Sequence, residues 1–543
     1  MTTKNLPEYV RALLDPAAYP NRPAEVRLVQ THISNVFLAG AFAYKTKKPV
    51  DFGFITQLTP EVREAYCHAE VRLNTRLAPD VYLGVVAVVR TPDGRYVVDV
   101  PASDGEVVEW AVKMRLLPDD RTLDRVLAAG PQQPRIIERL VQTLVAVHEA
   151  AAVVANVPQG RTPGGREYAG GPAETAWWTR EYGEAAGNIG GTWRAEDAAA
   201  TKAFFDGTIA AEQALFDARL AAGRTVEGHG DIQAKHVYLL GDAMEQIAIV
   251  DCIEFTDWFH FRYLDVGYDV AFLAMDLEAQ GYADLGDEFV GRYLTAAHDE
   301  TLGVLQPLHR AMRAFVRGKV ESIGANATEL PPEQRLHLAD SAARYFRLAA
   351  EYGQRRAGSS LVVMCGLPGV GKSTVGGTLA ARIGAAYVSS DVVRKELAGL
   401  DPRERGTTAD REGLYVPEMT ERVYVELRRR ADAHLAAGRP VVIDAMHGDA
   451  SERAAALAVA AARRVPAVIA EVRLDVAATL ARIGARADDP LRTSDATREV
   501  YQAQAARFEA VHALEGVHVV LDASEAPSVL AQQVAALLPR EVA

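Results

Sequence analysis

One octapeptide constrains this chain more than any other feature. Gly366-Leu-Pro-Gly-Val-Gly371-Lys372-Ser373, continued by Thr374, lies between the apolar run LVVMC and a helical pattern. The spacing fits G-x-x-x-x-G-K-[ST] in the strand-to-helix context the pattern requires. Gly366, Gly369 and Gly371 let backbone N–H groups close around phosphate oxygens at a helix N-terminus, while Lys372 reaches the β/γ-phosphates and Ser373 offers its hydroxyl to Mg²⁺. A bland glycine turn is the alternative, and the flanking elements argue against it. Downstream, the strand-like runs AAYVSSD, PVVIDA, AVIAEVRLD and VHVVLD each precede a helical stretch. That alternation predicts right-handed βαβ units around a parallel sheet, an α/β P-loop domain over 356–543.

Later residues bear on what such a domain does. Asp391 and Arg394, in SSDVVR, end the second strand at the sheet edge where a substrate meets the γ-phosphate. There Asp391 would orient or deprotonate a hydroxyl and Arg394 would bind an anionic group; the plainer reading is a helix N-cap and a surface arginine. Asp444, in VVIDA, stands where a Walker-B-like acid holds the metal's water shell. Arg482, Arg486, Arg492 and Arg498 fall in one segment, either a lid that closes over the transferring phosphate or a solvated helix face. Together, GLPGVGKST, SSDVVRKEL, VVIDA and the arginine segment resemble the small P-loop kinases, the group containing gluconate kinase, chloramphenicol phosphotransferase, polynucleotide kinase and zeta-toxin-like enzymes. The resemblance covers about 358–540 and does not choose an acceptor.

With 543 residues the chain is too long for one core. Its hydrophobic fraction of 49% and charged fraction of 24% are those of folded protein. A net charge of −13 disfavours nonspecific nucleic-acid binding but leaves a local basic groove open. The three cysteines, Cys67, Cys252 and Cys365, lack CxxC spacing, so neither a disulfide framework nor a zinc knuckle is indicated. The N-terminus has no apolar signal core, and no apolar run reaches the ~18 residues of a membrane span. A cytoplasmic protein without membrane partners is expected.

The first half reads differently. Residues 25–115 alternate β-like runs with one helical segment, EVREAYCHAEVRLNTRL; from 119 to 352 the pattern is mostly helical, broken by VYLL and IAIVDCIEF. The piece at 156–172 reads as a glycine- and proline-rich surface loop. In HGDIQAKH, Asp231 is followed twenty residues later by Asp251, the separation of a catalytic base and a metal-binding aspartate in kinase-like folds. Upstream, FAYK puts Lys45 on a strand as a phosphate-pairing lysine, and Glu70 on the next helix would hold it in an ion pair. The plain alternatives are a surface lysine, a solvated glutamate and a turn aspartate.

In this order, the elements resemble the aminoglycoside phosphotransferase/choline kinase-like family over about 25–350. The resemblance implies a bilobal, α+β protein-kinase-like domain over 1–355, with an N-lobe near 25–115 and a helical C-lobe near 119–350. It also implies that Asp231 accepts the acceptor's hydroxyl proton, that Asp251 binds Mg²⁺, that Ser34 and Asn35 belong to the nucleotide-covering loop, and that VVEWAVKM leads to an adenine hinge. One position departs from the family: His236 stands where such loops carry a metal-binding asparagine. Mg²⁺ prefers oxygen ligands, so three readings stay open. Asp251 suffices alone, His236 ligates a more nitrogen-tolerant ion such as Mn²⁺, or the site binds nucleotide without transferring phosphate. A second HGD, at His447-Gly448-Asp449, lacks the following aspartate and is read as coincidence. Trp177, Trp178 and His148 are read as packing residues.

The expectation is a bifunctional phosphotransferase that uses ATP and Mg²⁺ on hydroxyls of small polar molecules. Three alternatives remain: a P-loop kinase with a regulatory first half, a polynucleotide 5′-hydroxyl kinase in the second half, and an NTP-driven switch.

Overall fold

The computed structural model describes residues 6–51, 55–130, 135–151, 153, 170–241, 244–255, 261–328, 330–401, 414–485 and 497–540. They form two compact units: 1–133 with 146–173 and 214–269, and 134–145 with 174–213 and 270–543.

The first unit is built on a six-stranded antiparallel sheet, ordered β1-β2-β3-β6-β4-β5. Its strands are β1 (Val26–Gln30), β2 (Ser34–Ala39), β3 (Phe42–Lys47), β4 (Tyr82–Arg90), β5 (Tyr96–Val100) and β6 (Glu106–Arg115). Helix α1 (Pro60–Asn74) connects β3 to β4. Thr59 caps it by accepting the Val62 N–H, and Pro60 occupies the first turn, where its missing N–H costs nothing. Alternation buries one face of the sheet: Phe37, Tyr44, Val88, Val98 and Ala111 form a core with Val10, Leu13 and Tyr19. Lys45 and Lys47, two apart on β3, therefore share a direction, and both are buried. Two short ladders complete the unit: β7 (Thr225–Glu227) with β10 (Tyr263–Asp265), and β8 (Val237–Leu240) with β9 (Gln246–Ile249). The loop Gly228–His236 and the segment Val250–Glu254 are thereby brought beside β3 and α1.

The second unit contains helices α2 (Ala283–Ala296), α3 (Leu302–Asn326) and α4 (Pro332–Arg355), then the expected α/β segment. Its sheet is wholly parallel, ordered β12-β13-β11-β14-β15. The strands are β11 (Leu361–Cys365), β12 (Ala386–Ser389), β13 (Val441–Asp444), β14 (Ala467–Arg473) and β15 (Val517–Asp522). β11 and β13 are buried along their whole length, as parallel strands covered on both faces must be. The described helices of this segment include α5 (Lys372–Ile383), α6 (Ser390–Leu397), α7 (Pro417–Ala436), α8 (Ala450–Arg463), α9 (Val476–Ala485) and α10 (Pro527–Ala535). Trp177 and Trp178 are buried, and Trp178 stacks on Phe205 with centroids 4.1 Å apart, as a packing role requires. Most of the 156–172 loop lies outside the described residues. Among the described residues no helix is long and apolar enough to cross a membrane.

Candidate functional sites

In the first unit, β3 aims Lys45 at α1. Its Nζ lies 2.9 Å from Glu70 Oε1 and 2.7 Å from Asp251 Oδ1. Beside it, the fully buried Lys47 binds Glu70 and Glu254. Three carboxylates thus surround two ammonium groups, an excess of one negative charge. Burial works against the Lys45 cation, but Asp251 and Glu70 outweigh it and raise its pKa. Lys45 in turn holds Asp251 far below the ordinary carboxylate range.

Asp251 has φ 67, a left-handed conformation that asparagine and aspartate tolerate better than other side chains. Its N–H donates to the Tyr82 hydroxyl at 3.2 Å. The next N–H, of Cys252, donates to Asn74 Oδ1 at 2.9 Å, while Asn74 Nδ2 donates to the Glu70 carbonyl at 2.8 Å. Helix α1 therefore positions Glu70 and fixes the segment that carries Asp251.

The 229–236 loop is held from below by Asp269, which accepts the N–H groups of His229 and Gly230 at 2.7 and 2.8 Å. Asp269 is fully buried, and His148 Nε2 lies 3.3 Å from it, so His148 braces the loop rather than merely filling space. A side chain at Gly230, φ 86, would strike the Phe261 carbonyl at 2.1 Å, so this position needs glycine. Asp231 Oδ1 accepts from Gln233 Nε2 at 2.7 Å. His236 donates Nδ1–H to the Asp231 carbonyl at 2.9 Å, and its Nε2 lies 3.8 Å from Asp251 Oδ2. Lys45, Glu70, Asp231, His236 and Asp251 are thus one connected group. Ser34 and Asn35 are instead the first two residues of β2, buried and paired with Lys47 and Thr46, while the preceding turn is Thr31–Ile33. Ser34 closes that turn, its N–H donating to Thr31 Oγ1 at 3.0 Å and its carbonyl accepting the Thr31 N–H at 3.0 Å, so Ser34 and Asn35 stand at the base of the loop, on the strand.

In the second unit the phosphate loop joins β11 to α5. Gly366, Gly369 and Gly371 have φ 137, 81 and 109. A Cβ at Gly366 would meet the Val472 carbonyl at 2.4 Å, and one at Gly369 the Ile483 side chain at 2.6 Å. Lys372 Nζ donates to the Leu367 carbonyl at 2.9 Å, and burial lowers its pKa. Asp444 Oδ2 accepts two hydroxyls, Ser373 at 2.6 Å and Tyr387 at 2.5 Å. Asp444 Oδ1 is buried and has no hydrogen-bond partner among the described residues. A buried anionic oxygen left this way is costly, and a hydrated Mg²⁺ would satisfy it. Ser373 and Asp444 therefore fit the metal, and the glycine loop with Lys372 and Thr374 fits a triphosphate.

Asp391 lies in the first turn of α6, close enough for its charge to act on Lys372 and Tyr387. Arg482 donates to the Val370 carbonyl at 3.2 Å and to the Ala523 carbonyl at 2.9 Å, against the phosphate loop. Arg394 is buried, donates to the Leu414 carbonyl at 2.8 Å and stacks on Tyr415, so it holds that segment in place. Anion binding by Arg394 stays a proposal. Arg486 and Arg492 lie outside the described residues, and Arg498 is exposed at the start of a short helix. The second HGD is not inert either: His447 is buried, has φ 45 and donates Nδ1–H to the Met364 carbonyl at 2.8 Å.

Sequence reasoning missed Lys47, Glu254, Tyr82, Asn74, Asp269 and Tyr387. Only Asp269 left a signal, a carboxylate inside the apolar run VGYDVAFLAM.

Two of the imidazoles make acid stability testable. Burial pushes His229 and His447 down to about 4 from 6.5. Below 6.5 the unfolded chain binds protons that the native chain refuses, so stability falls as pH drops from 6.5 toward 4. The expected loss at pH 5 is about 2 kcal/mol per histidine. Urea midpoints at pH 7.5, 6 and 5 measure it; a profile flat down to pH 5 would reject the assignment.

A family model described as an AAA domain matches residues 361–511. Solved structures similar to this one include a choline/ethanolamine kinase family protein from Mesorhizobium loti, with 15% identity over 63% of this chain and 98% of that one and a TM-score of 0.36. Another is a gluconokinase from Sinorhizobium meliloti 1021, with 20% identity over 34% of this chain and 92% of that one and a TM-score of 0.23. Uncharacterized protein Rv2004c of Mycobacterium tuberculosis is 32% identical over 480 residues, covering 88% of this chain and 89% of its own length. Uncharacterized protein Mb2027c of Mycobacterium bovis aligns with the same figures. The chain belongs to the family of these mycobacterial proteins, and its residues 361–511 match an AAA domain.

Proposed function

We propose that this protein is a bifunctional ATP-dependent phosphotransferase, with a kinase-like site in the first half and a P-loop kinase site in the second. The division of labour would fall near residue 355, and the acceptors would be hydroxyls of small polar molecules of the sugar, amino sugar or aminocyclitol type. A cytoplasmic location belongs to the same proposal. The observation that carries it is the joining of Lys45, Glu70, Asp231, His236 and Asp251 into one group, from segments as far apart in the chain as β3 and the residues that follow β9.

In the first site Asp231 would take the acceptor's proton, Lys45 would pair with phosphate oxygens, and Asp251 and His236 would face the metal. In the second, Asp391 would orient the acceptor, Lys372 would follow the γ-phosphate, and Ser373 and Asp444 would hold the metal. When bound, Mg²⁺ would offset charge on the phosphate oxygens. Catalysis in both is then mainly positioning and charge stabilisation.

A second reading, a regulatory first half, is favoured by one observation, the imidazole at 236. ATP consumption measured with and without a metabolite panel, for wild type, Asp231→Ala and Lys372→Ala, separates the two. The bifunctional reading expects two acceptor classes, each lost in one variant. The regulatory reading expects a single class, lost in Lys372→Ala. No stimulation by any acceptor, with neither variant altered, would end both.

A further inference from the structure

Beside the phosphate loop lies a cavity of about 250 Å³. Val370 and Gly371 of the loop, Arg482 of α9, and Glu525 and Leu530 of the last connection and helix line it. So does Arg292, which is on α2 and therefore outside both the phosphate-loop segment and the matched AAA domain.

Arg292 is not there by the chance reach of a flexible side chain. Its neighbour Gly291 sits directly on α5, the helix that starts at Lys372. A Cβ at Gly291 would come within 2.3 Å of the Thr378 N, and one at Gly377 within 2.6 Å of the Gly291 carbonyl oxygen. Two helices that meet backbone to backbone cannot slide without a clash. Arg382 of α5 adds an ion pair to Asp287 of α2 at 2.9 Å. Within its own helix, Arg292 Nε donates to Glu288 Oε1 at 2.8 Å, which restrains the side chain further. The cavity thus has a fixed cationic wall that the phosphate-loop segment does not itself supply.

Its chemistry suits one part of a nucleotide. Phosphates belong at the loop; the adjoining space has two guanidinium groups, one carboxylate and an apolar floor of Val370 and Leu530. Planar guanidinium groups stack on aromatic faces, and Glu525 can accept a hydrogen bond from an amino group or a ribose hydroxyl. Its volume approaches the ~300 Å³ at which small-molecule pockets begin. We infer that Arg292 binds the nucleoside half of the nucleotide held at Gly366–Ser373, so that the P-loop site is completed by a helix from the preceding half of the chain. The inference rests on the reading of that loop as a nucleotide site.

The full chain would be photolabelled with 8-azido-ATP and its labelled peptides mapped by mass spectrometry, for wild type, Arg292→Ala, Arg292→Lys and Lys372→Ala. Wild type is expected to carry label on 283–296 that excess ATP removes and Lys372→Ala lacks. Arg292→Ala is expected to weaken the Lys372-dependent ATP binding about tenfold, a change of about 1.4 kcal/mol. Displacement by tripolyphosphate, which has no base, should stay within about twofold of wild type, which also reports that the variant's loop is intact. Arg292→Lys should recover little, because an ammonium lacks the planar face. Lys372-dependent label that never falls on 283–296, with ATP affinity unchanged in Arg292→Ala, would overturn the inference and leave the P-loop reading standing. No Lys372-dependent label anywhere would overturn the P-loop reading itself.

Discussion

Asp231→Ala is expected to lower the phosphorylation rate of the first-half acceptor by about 10³-fold, within the 10² to 10⁴ that general bases contribute. ATP affinity should barely change. The separation follows from the pairings: Lys45, proposed to meet phosphate, is held by Glu70 and Asp251, whereas Asp231 contacts Gln233 and His236. The loop is held by backbone bonds to Asp269, so truncating Asp231 leaves its support in place. Single-turnover kinetics with the acceptor found in the panel measure the chemical step, and nucleotide titration measures binding. A loss confined to ATP affinity would assign Asp231 to binding instead.

Lys372→Ala should have a comparable effect in the second half, lowering P-loop turnover about 10²- to 10³-fold through lost stabilisation of the transferring phosphate. Its stability is expected to move the other way. Lys372 is a buried cation whose Nζ donates to the Leu367 carbonyl, and burial lowers its pKa, so the fold holds its charge at a cost. Without it, the thermal midpoint should stay level or rise. That is the signature of a residue kept for function against stability. A large fall in midpoint would make Lys372 a structural residue and remove the reason for assigning it to phosphate.

What the sequence made legible was whatever chemistry places at fixed short spacing. The glycine loop, the aspartates at 231 and 251, and the alternation around β3 all leave local patterns, and the segments they mark are strands, loops and helices as expected. The parallel sheet was legible because each strand is a short apolar run before a helix. Contacts made across the fold were not. Nothing in the local sequence YKTKK sets Lys47 apart from its neighbouring lysines, yet it is fully buried between Glu70 and Glu254. Tyr82 and Asn74 support Asp251 and Cys252 from positions whose local sequence says only strand and helix. Arg394 is another case: the local sequence offers it to substrate at a sheet edge but gives no sign that it also engages Leu414 and Tyr415 once the chain is folded. β7 and β10, three residues each, are too short for alternation to register.

The left-handed backbone at Asp251 decides how this protein can be stalled with its ligands in place. Alanine there would remove the carboxylate and also press a methyl-bearing residue into a conformation it disfavours, so a dead variant would report two injuries at once. Asparagine accepts the same φ, keeps the side chain's outline and can still offer an oxygen. Asp251→Asn is therefore the variant to soak, crystallise or use as bait, since the hand of one residue's backbone decides which inactive protein still resembles the living one.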